Sequence, residues 1–289
     1  MKTCFVSIIG RPNVGKSSLL NKILNYNLSI VTPKAQTTRD KINGIYNDSE
    51  YQIVFTDTPG IHKTQQKLGE SLNASSYEAI KESDLVLFLT PENETIAKGD
   101  LMIIDKLKKI KNKIAIITKV DLIEEKNELD TKASFLKSLG FNSVLGVSIN
   151  YQRTIDELME EIKKYAIESN LFFDPEEITD KSMSFIAKEI IRKNAIQLLD
   201  YELPHNIAVV IDNFSEEEDK YIIDAIIYVS KDSQKGILIG KNGSMIKKIG
   251  INARKEIALT FDMPIVLNTR VKVSKKWNDD EKSIKRMGY

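Results

Sequence analysis

The stretch Gly10-Arg11-Pro12-Asn13-Val14-Gly15-Lys16-Ser17 constrains this chain more than any other, because of what flanks it. An apolar run at residues 5–9 precedes it, and a helix-periodic stretch carrying Leu19, Leu20, Ile23 and Leu24 follows. A glycine-rich turn between a buried strand and a helix aims several backbone N–H groups inward, and the helix end adds positive partial charge. Such a turn cradles phosphate. Lys16 would reach the β- and γ-phosphates, Ser17 would ligate magnesium, and Ser18 completes the nucleotide-binding set. A P-loop in this setting predicts an α/β fold with a mostly parallel sheet.

The following residues extend that fold in order. Residues 40–46 and 51–56 read as a strand pair around Asn47, Asp48 and Ser49, and the second strand runs into Asp57-Thr58-Pro59-Gly60. An aspartate at the carboxyl end of a buried strand can hold a magnesium ion facing the phosphate loop, and Gly60 lets backbone approach a γ-phosphate. Between them, residues 32–40 are polar and aperiodic, a mobile loop in which Thr38, or alternatively Thr37, would close onto the metal. Residues 85–89 and 114–117 are continuous apolar runs, as parallel strands covered on both faces require. A helical pattern over residues 67–81 precedes the first of them, and one over residues 98–108 lies between the two. The second run ends in Thr118-Lys119-Val120-Asp121, where Asp121 would accept paired hydrogen bonds from a guanine N1–H and exocyclic amine. Adenine offers no such donors, so guanine is the expected base. A short strand at residues 143–147 leads to Ser148-Ile149-Asn150, whose backbone N–H groups would meet the guanine O6, and a helix over residues 154–169 closes the domain.

The ordered set Gly10 to Ser17, Thr38, Asp57 to Gly60, Thr118 to Asp121 and Ser148 to Asn150 resembles a translation-factor-class GTPase. The phosphate loop and Gln36-Thr37-Thr38-Arg39 are similar to the Era branch in particular. Two positions depart from the pattern. Thr118 stands where the family usually has asparagine, so only part of the tie to the phosphate loop is expected, and Ile149 replaces an alanine. Ile61 follows Gly60, so the side chain that orients attacking water in Ras-like enzymes is absent. Slow intrinsic hydrolysis is therefore expected, carried by phosphate positioning, magnesium and Lys16, with Thr38 closing onto the metal and the Gly60 N–H sensing the γ-phosphate. The resemblance also implies a potassium ion held by Asn13 as an activator.

Charge then separates the two halves. The net charge is +1, yet residues 171–230 carry 5 basic against 13 acidic side chains and residues 231–289 carry 14 against 6, a balance of +8. A basic block of this kind suits a polyanion. Residues 171–184, with Asp174-Pro175-Glu176-Glu177, read as a linker between a GTPase domain (1–170) and a second domain (185–289). That domain reads as a helix over residues 185–199, strand-like runs at 206–212 and 221–230, then Gly240-Lys241-Asn242-Gly243 between helical stretches, and a strand at 265–273. A Gly-x-x-Gly turn holding a lysine lets a nucleic-acid backbone lie against the protein backbone. The order resembles a type II KH domain, a small α+β fold. The RNA-binding residues expected are Gly240, Lys241, Asn242, Gly243, Lys247, Lys248, Arg254, Lys272, Lys275, Lys276 and Trp277, the last as a base-stacking platform.

Resemblance to the Era branch along the whole chain implies binding of the 3′ end of 16S ribosomal RNA, not DNA, and assistance to assembly of the small (30S) ribosomal subunit. GTP or GDP and Mg2+ are the cofactors it implies; the single cysteine fits a reducing cytoplasm, and nothing in the sequence demands more than a monomer. A second reading from the residues is a nucleotide-gated adaptor bound peripherally to the inner membrane through its basic block. The single cysteine, Cys4, excludes an intrachain disulfide, and two histidines cannot build a zinc-type cluster. No apolar run approaches the roughly 18 residues that a membrane span needs.

Overall fold

The computed structural model describes residues 1–34, 36–92, 95–123 and 126–289, with backbone alone for residues 126–128; Ala35, within the expected mobile loop, lies outside the described residues. The chain divides into two units, one of Met1–Val31, Thr38–Thr64 and Leu72–Asp180, the other of Thr32–Thr37, Gln65–Ser71 and Lys181–Tyr289.

The first unit is built on β1 (Lys2–Gly10), α1 (Lys16–Leu24), β2 (Ile42–Asn47), β3 (Tyr51–Asp57), α2 (Lys67–Lys81) from Leu72 onward, β4 (Leu85–Pro91), α3 (Lys98–Lys106), β5 (Lys113–Thr118), α4 (Lys126–Ser138), β6 (Ser143–Val147), α5 (Gln152–Lys163) and β7 (Ile167–Glu168). Its strands run in the order β2-β3-β1-β4-β5-β6. All pairs from β3 to β6 are parallel, and β2 is an antiparallel edge. Every residue of β4 and β5 is buried, which a strand achieves only when both faces of its sheet are covered. Parallel strands deliver their carboxyl ends to one edge, so Gly10, Asp57, Thr118 and Val147 all finish there.

Two segments differ from the sequence expectation. The helix expected over residues 154–169 stops at Lys163, and β7 pairs antiparallel with Lys2 and Thr3. Strand β4 joins β1 only from Val6 onward, so the first residues of β1 offer open backbone groups on that side. Residues 171–180, read as linker, lie along the outer edge of the sheet. The Ile45 N–H donates to Ile178 O (2.8 Å), Thr179 Oγ1 to Asn43 O (2.6 Å) and Asn43 Nδ2 to Asp180 Oδ2 (2.9 Å), and Gly44 bridges Thr179 antiparallel. The buried Gln52 amide accepts from the N–H groups of Phe172 (2.8 Å) and Phe173 (3.1 Å) and donates to Phe173 O (2.9 Å). An edge strand's unpaired groups are thereby covered.

The second unit comprises α6 (Met183–Leu198), β8 (Ala208–Glu216), β9 (Tyr221–Val229), α7 (Asp232–Ile239), α8 (Ser244–Phe261), β10 (Ile265–Val273) and α9 (Glu281–Arg286). Ser182 caps α6 by accepting from the Phe185 N–H (3.2 Å). The sheet order is β10-β9-β8, with β9 antiparallel to β8 and parallel to β10. One face packs Ile223, Ala225 and Ile227 against Ile191 and Ala195 of α6 and Ala253 and Ile257 of α8. This is an αββααβ unit carrying one further short helix.

Candidate functional site

The phosphate loop opens α1 where β1 ends. Lys16 is buried and its Nζ donates to Arg11 O (2.9 Å) and Gly10 O (3.4 Å). Burial pulls the Lys16 amine down to about 8, opposed by the charge of Asp57. Ser17 Oγ donates to Asp57 Oδ2 at 2.6 Å, the Ser17 and Thr38 hydroxyls are 2.8 Å apart, and Thr38 Oγ1 lies 3.5 Å from Asp57 Oδ2. Burial raises the Asp57 carboxyl, and the Lys16 charge is the largest opposing effect. Asp57 Oδ1 is buried without a hydrogen-bond partner. Two hydroxyls and a carboxylate, one of whose oxygens is buried and unpartnered, are a hard-oxygen donor set of the kind magnesium takes, so these residues fit that ion. Thr37, the alternative, is engaged elsewhere, donating to Lys34 O and meeting the Thr32 hydroxyl, both at 2.7 Å.

Beyond Asp57, Thr58 Oγ1 donates to Ile8 O (2.8 Å) and Pro59 O accepts from Ser76 Oγ (3.0 Å). A Cβ on Gly60 would lie 2.7 Å from Pro12 Cα, so only glycine permits this approach of the two loops. The Ile61 N–H donates to Gly10 O (3.1 Å), and its side chain is buried beside Ile80, Val86 and Phe88. No side chain at that position faces the phosphates. Asn73 of α2 brackets the next residue, with Nδ2 donating to His62 O (2.8 Å) and Oδ1 accepting from its N–H (3.3 Å).

The Arg11 side chain turns away from the phosphate cradle. Its Nε donates to Oδ1 of the fully buried Asp100 (2.9 Å), whose other oxygen accepts from the Ala97 N–H at the start of α3 (3.1 Å). Val14 is buried, and Asn13, at φ 63°, is exposed in the same loop. At the base end, Thr118 Oγ1 donates to Val14 O (2.8 Å), so the hydroxyl itself ties this loop to the phosphate loop. Lys119 takes φ 61° and leads into the turn Val120–Leu122 that carries Asp121. Ser148 is buried, while Ile149 is exposed at the rim of a cavity of about 400 Å³ shared with Ser18, Lys22, Tyr26 and Val31. The side chains of Asp100, Asn73 and Asn150 carry contacts that motif reading missed. Apart from the local Asp100–Ala97 contact at the start of α3, their spacing holds no signal, because the contacts join residues distant in sequence that only the fold brings together.

In the second unit, Gly240 (φ 73°), Asn242 (φ 51°) and Gly243 (φ 75°) form the turn between α7 and α8, with Lys241 and Asn242 exposed. Beside it lies a groove of about 250 Å³ lined by Ile246, Lys247, Ile251, Arg254, Leu267 and Thr269. Lys248 and Lys275 are exposed but do not line it. Lys272 alternates with Leu267, Thr269 and Val271 along β10 and so belongs to the opposite face. The stacking role expected of Trp277 is corrected. The indole is fully buried, with Nε1 donating to Asn206 O (3.0 Å), and Ile284 and Met287 of the terminal segment are buried too. A lysine-rich stretch with one aromatic residue reveals nothing of the direction in which that ring points. Lys276 (φ 51°) begins the turn that takes the tryptophan inward.

Comparison with known proteins places both units. Residues 5–120 match the family model "50S ribosome-binding GTPase", and residues 202–278 match "KH domain". The chain is 54% identical over 289 residues to GTPase Era of Mycoplasmopsis agalactiae, covering all of both chains. It is likewise 54% identical to GTPase Era of Mycoplasmopsis pulmonis, covering 99% of each. Among solved structures, it superposes with a TM-score of 0.95 and 33% identity on a point variant of Aquifex aeolicus Era bound to GDP·AlF4−, covering 100% of this chain and 99% of that one. An Era in complex with MgGDPNP and nucleotides 1506–1542 of 16S ribosomal RNA gives 0.95 at 32% identity over the same shares.

Proposed function

The chain belongs to the GTPase Era family, a GTP-hydrolysing enzyme with a KH domain, and on that premise we propose that it binds the 3′ end region of 16S ribosomal RNA under control of its nucleotide. The observation that carries this reading is similarity along the whole chain to an Era solved with MgGDPNP and that RNA segment. The end to which the RNA binding is put is assistance to 30S subunit assembly in the cytoplasm, by a monomer.

In the nucleotide site, backbone groups of Gly10, Arg11, Pro12, Asn13, Val14 and Gly15 would surround the phosphates, with Ser18 in the first turn of the helix behind them. Lys16 would exchange its two carbonyl partners for phosphate oxygens, regaining the full charge that burial now disfavours. Ser17, Thr38 and Asp57 would hold magnesium, which when bound neutralises charge on the β- and γ-phosphates. Gly60 would offer its N–H to the γ-phosphate, and Thr38 would close with it, so the presence of that group fixes two loops at once. With Ile61 turned into the core, the attacking water has no side-chain orienter there, which supports slow intrinsic turnover. Asn13 would help hold a potassium ion against the phosphates, adding positive charge to that of Lys16. Asp121, Lys119 and the Ser148-Ile149 backbone would read and cover guanine.

In the second unit, the Gly240 to Gly243 turn and the groove carrying Lys247 and Arg254 would take single-stranded RNA, phosphates on the lysines and bases against Ile246, Ile251 and Leu267. Among the described residues no helix is long and apolar enough to cross a membrane. Filter binding of a 16S 3′-end oligonucleotide, compared with anionic vesicles, tests the reading. Tight RNA binding lost in Gly243→Asp is expected. Retention of RNA by that variant, or preference for vesicles, would refute it.

A further inference from the structure

A base-reading carboxylate works only if its two oxygens stay in the plane of the base. The terminal torsion of an aspartate is broad and roughly two-fold, so by itself Asp121 would rotate freely. It does not stand by itself. Asn150 Nδ2 donates to Asp121 Oδ2 at 2.7 Å. The carboxyl is held below its usual value by the Ser148 hydroxyl first, and by the Asn150 amide and its own backbone N–H as well, with desolvation acting the other way.

The donor comes from a braced loop. The Asn150 N–H donates to Ser148 Oγ (3.0 Å), the Ser148 N–H to Thr154 Oγ1 (3.0 Å) and the Tyr151 N–H to Ser148 O (3.2 Å). Ser148 is buried, while the Asn150 side chain is exposed and packs in no core. An exposed amide that bonds a charged group on another loop contributes orientation more than stability. The neighbouring Ile149 side chain faces a cavity and leaves that contact untouched.

We propose that Asn150 is a positioning residue for guanine specificity: its amide fixes the rotation of the Asp121 carboxylate so that one oxygen is aimed at the exocyclic 2-amino group. This rests on the reading of Asp121 as the guanine acceptor. The amide takes one acceptor site of the carboxylate at Oδ2, and the base would use the sites that the amide, the Ser148 hydroxyl and the backbone N–H leave open. Hypoxanthine is guanine without the 2-amino group, so it measures that one bond.

Full-length protein is titrated with GDP and IDP for the native chain, Asn150→Ala, Asn150→Gln and Asp121→Ala. Asn150→Ala is expected to weaken GDP about tenfold and IDP only about twofold, so that GDP-over-IDP discrimination falls about fivefold, with the melting temperature unchanged. Asn150→Gln, which keeps the amide on a longer stem, restores part of the ratio. Equal losses for both nucleotides, no change, or tighter GDP binding (the result if the amide merely competes with the base) would each overturn the proposal. Asp121→Ala separates the two levels. If it leaves GDP affinity intact, the guanine reading of Asp121 itself fails, whereas its collapse alongside an unmoved Asn150→Ala refutes the positioning role alone.

Discussion

Thr118 stands at a position where a longer amide would reach both loops, yet its hydroxyl spans the distance to Val14 O at 2.8 Å. The bond is buried and joins the base-binding loop to the phosphate loop, so its loss acts on the bound nucleotide from both ends. Thr118→Val keeps the shape and removes only the hydroxyl, leaving a buried carbonyl unpaired at a cost of about 1–2 kcal/mol. GDP dissociation, followed with a fluorescent analogue, is expected to quicken about fivefold; an unchanged rate would show that the loops hold together without it. Asn13 calls for a different substitution. Its φ of 63° is a conformation that asparagine and glycine tolerate and alanine resists, so Asn13→Gly deletes the side chain without straining the loop. Turnover of the native chain is expected to be higher in KCl than in NaCl by about fivefold or more, and the glycine variant should turn over equally in both. A native chain indifferent to the two salts removes potassium from the account.

Elements are where the sequence was least informative, and the reasons are physical. Strands β4 and β5 were legible because a doubly covered strand must be apolar throughout, and the loops at their ends because phosphate and guanine demand particular residues. Residues 171–180 were not legible. They hold a proline among acids and have no periodicity, yet they are pinned to β2 and β3, and what the segment itself offers is mostly backbone (Phe172 N–H, Phe173 N–H and O, Pro175 O, Ile178 O), which any sequence supplies. The largest side-chain contribution comes from Gln52, whose amide donates to Phe173 O and Asn47 Oδ1 and accepts from two backbone N–H groups, inside β3 with no exposed surface. Gln52→Ala orphans three backbone groups of the segment at once. Because the segment lies at an edge where water can re-enter, a loss of about 2–4 kcal/mol in urea unfolding is expected, with faster proteolysis inside residues 171–180. An unmoved unfolding midpoint would show that the segment is held by β2 alone. Trp277 was illegible for a related reason, since its burial depends on Asn206 and on a terminal helix that composition presents only as a charged tail.

For the whole molecule, charge and nucleotide state have separable effects on RNA binding, and separating them tests the gating idea. The basic block at residues 231–289 sets an electrostatic attraction that releases counterions, so the logarithm of affinity should fall linearly with the logarithm of salt concentration. Nucleotide control, if it works by changing which conformation is populated, multiplies affinity by a factor that salt does not enter. Titrations in a non-hydrolysable GTP analogue and in GDP should therefore give parallel lines displaced by about tenfold. Lys247→Ala should flatten both lines by about 0.7, the share of one phosphate contact on a single strand, and leave the displacement between them unchanged. Coincident lines would mean that nucleotide does not gate RNA at all. Lines of different slope would mean that the γ-phosphate changes the number of phosphates the protein holds, so that the groove itself, rather than access to it, is what switches.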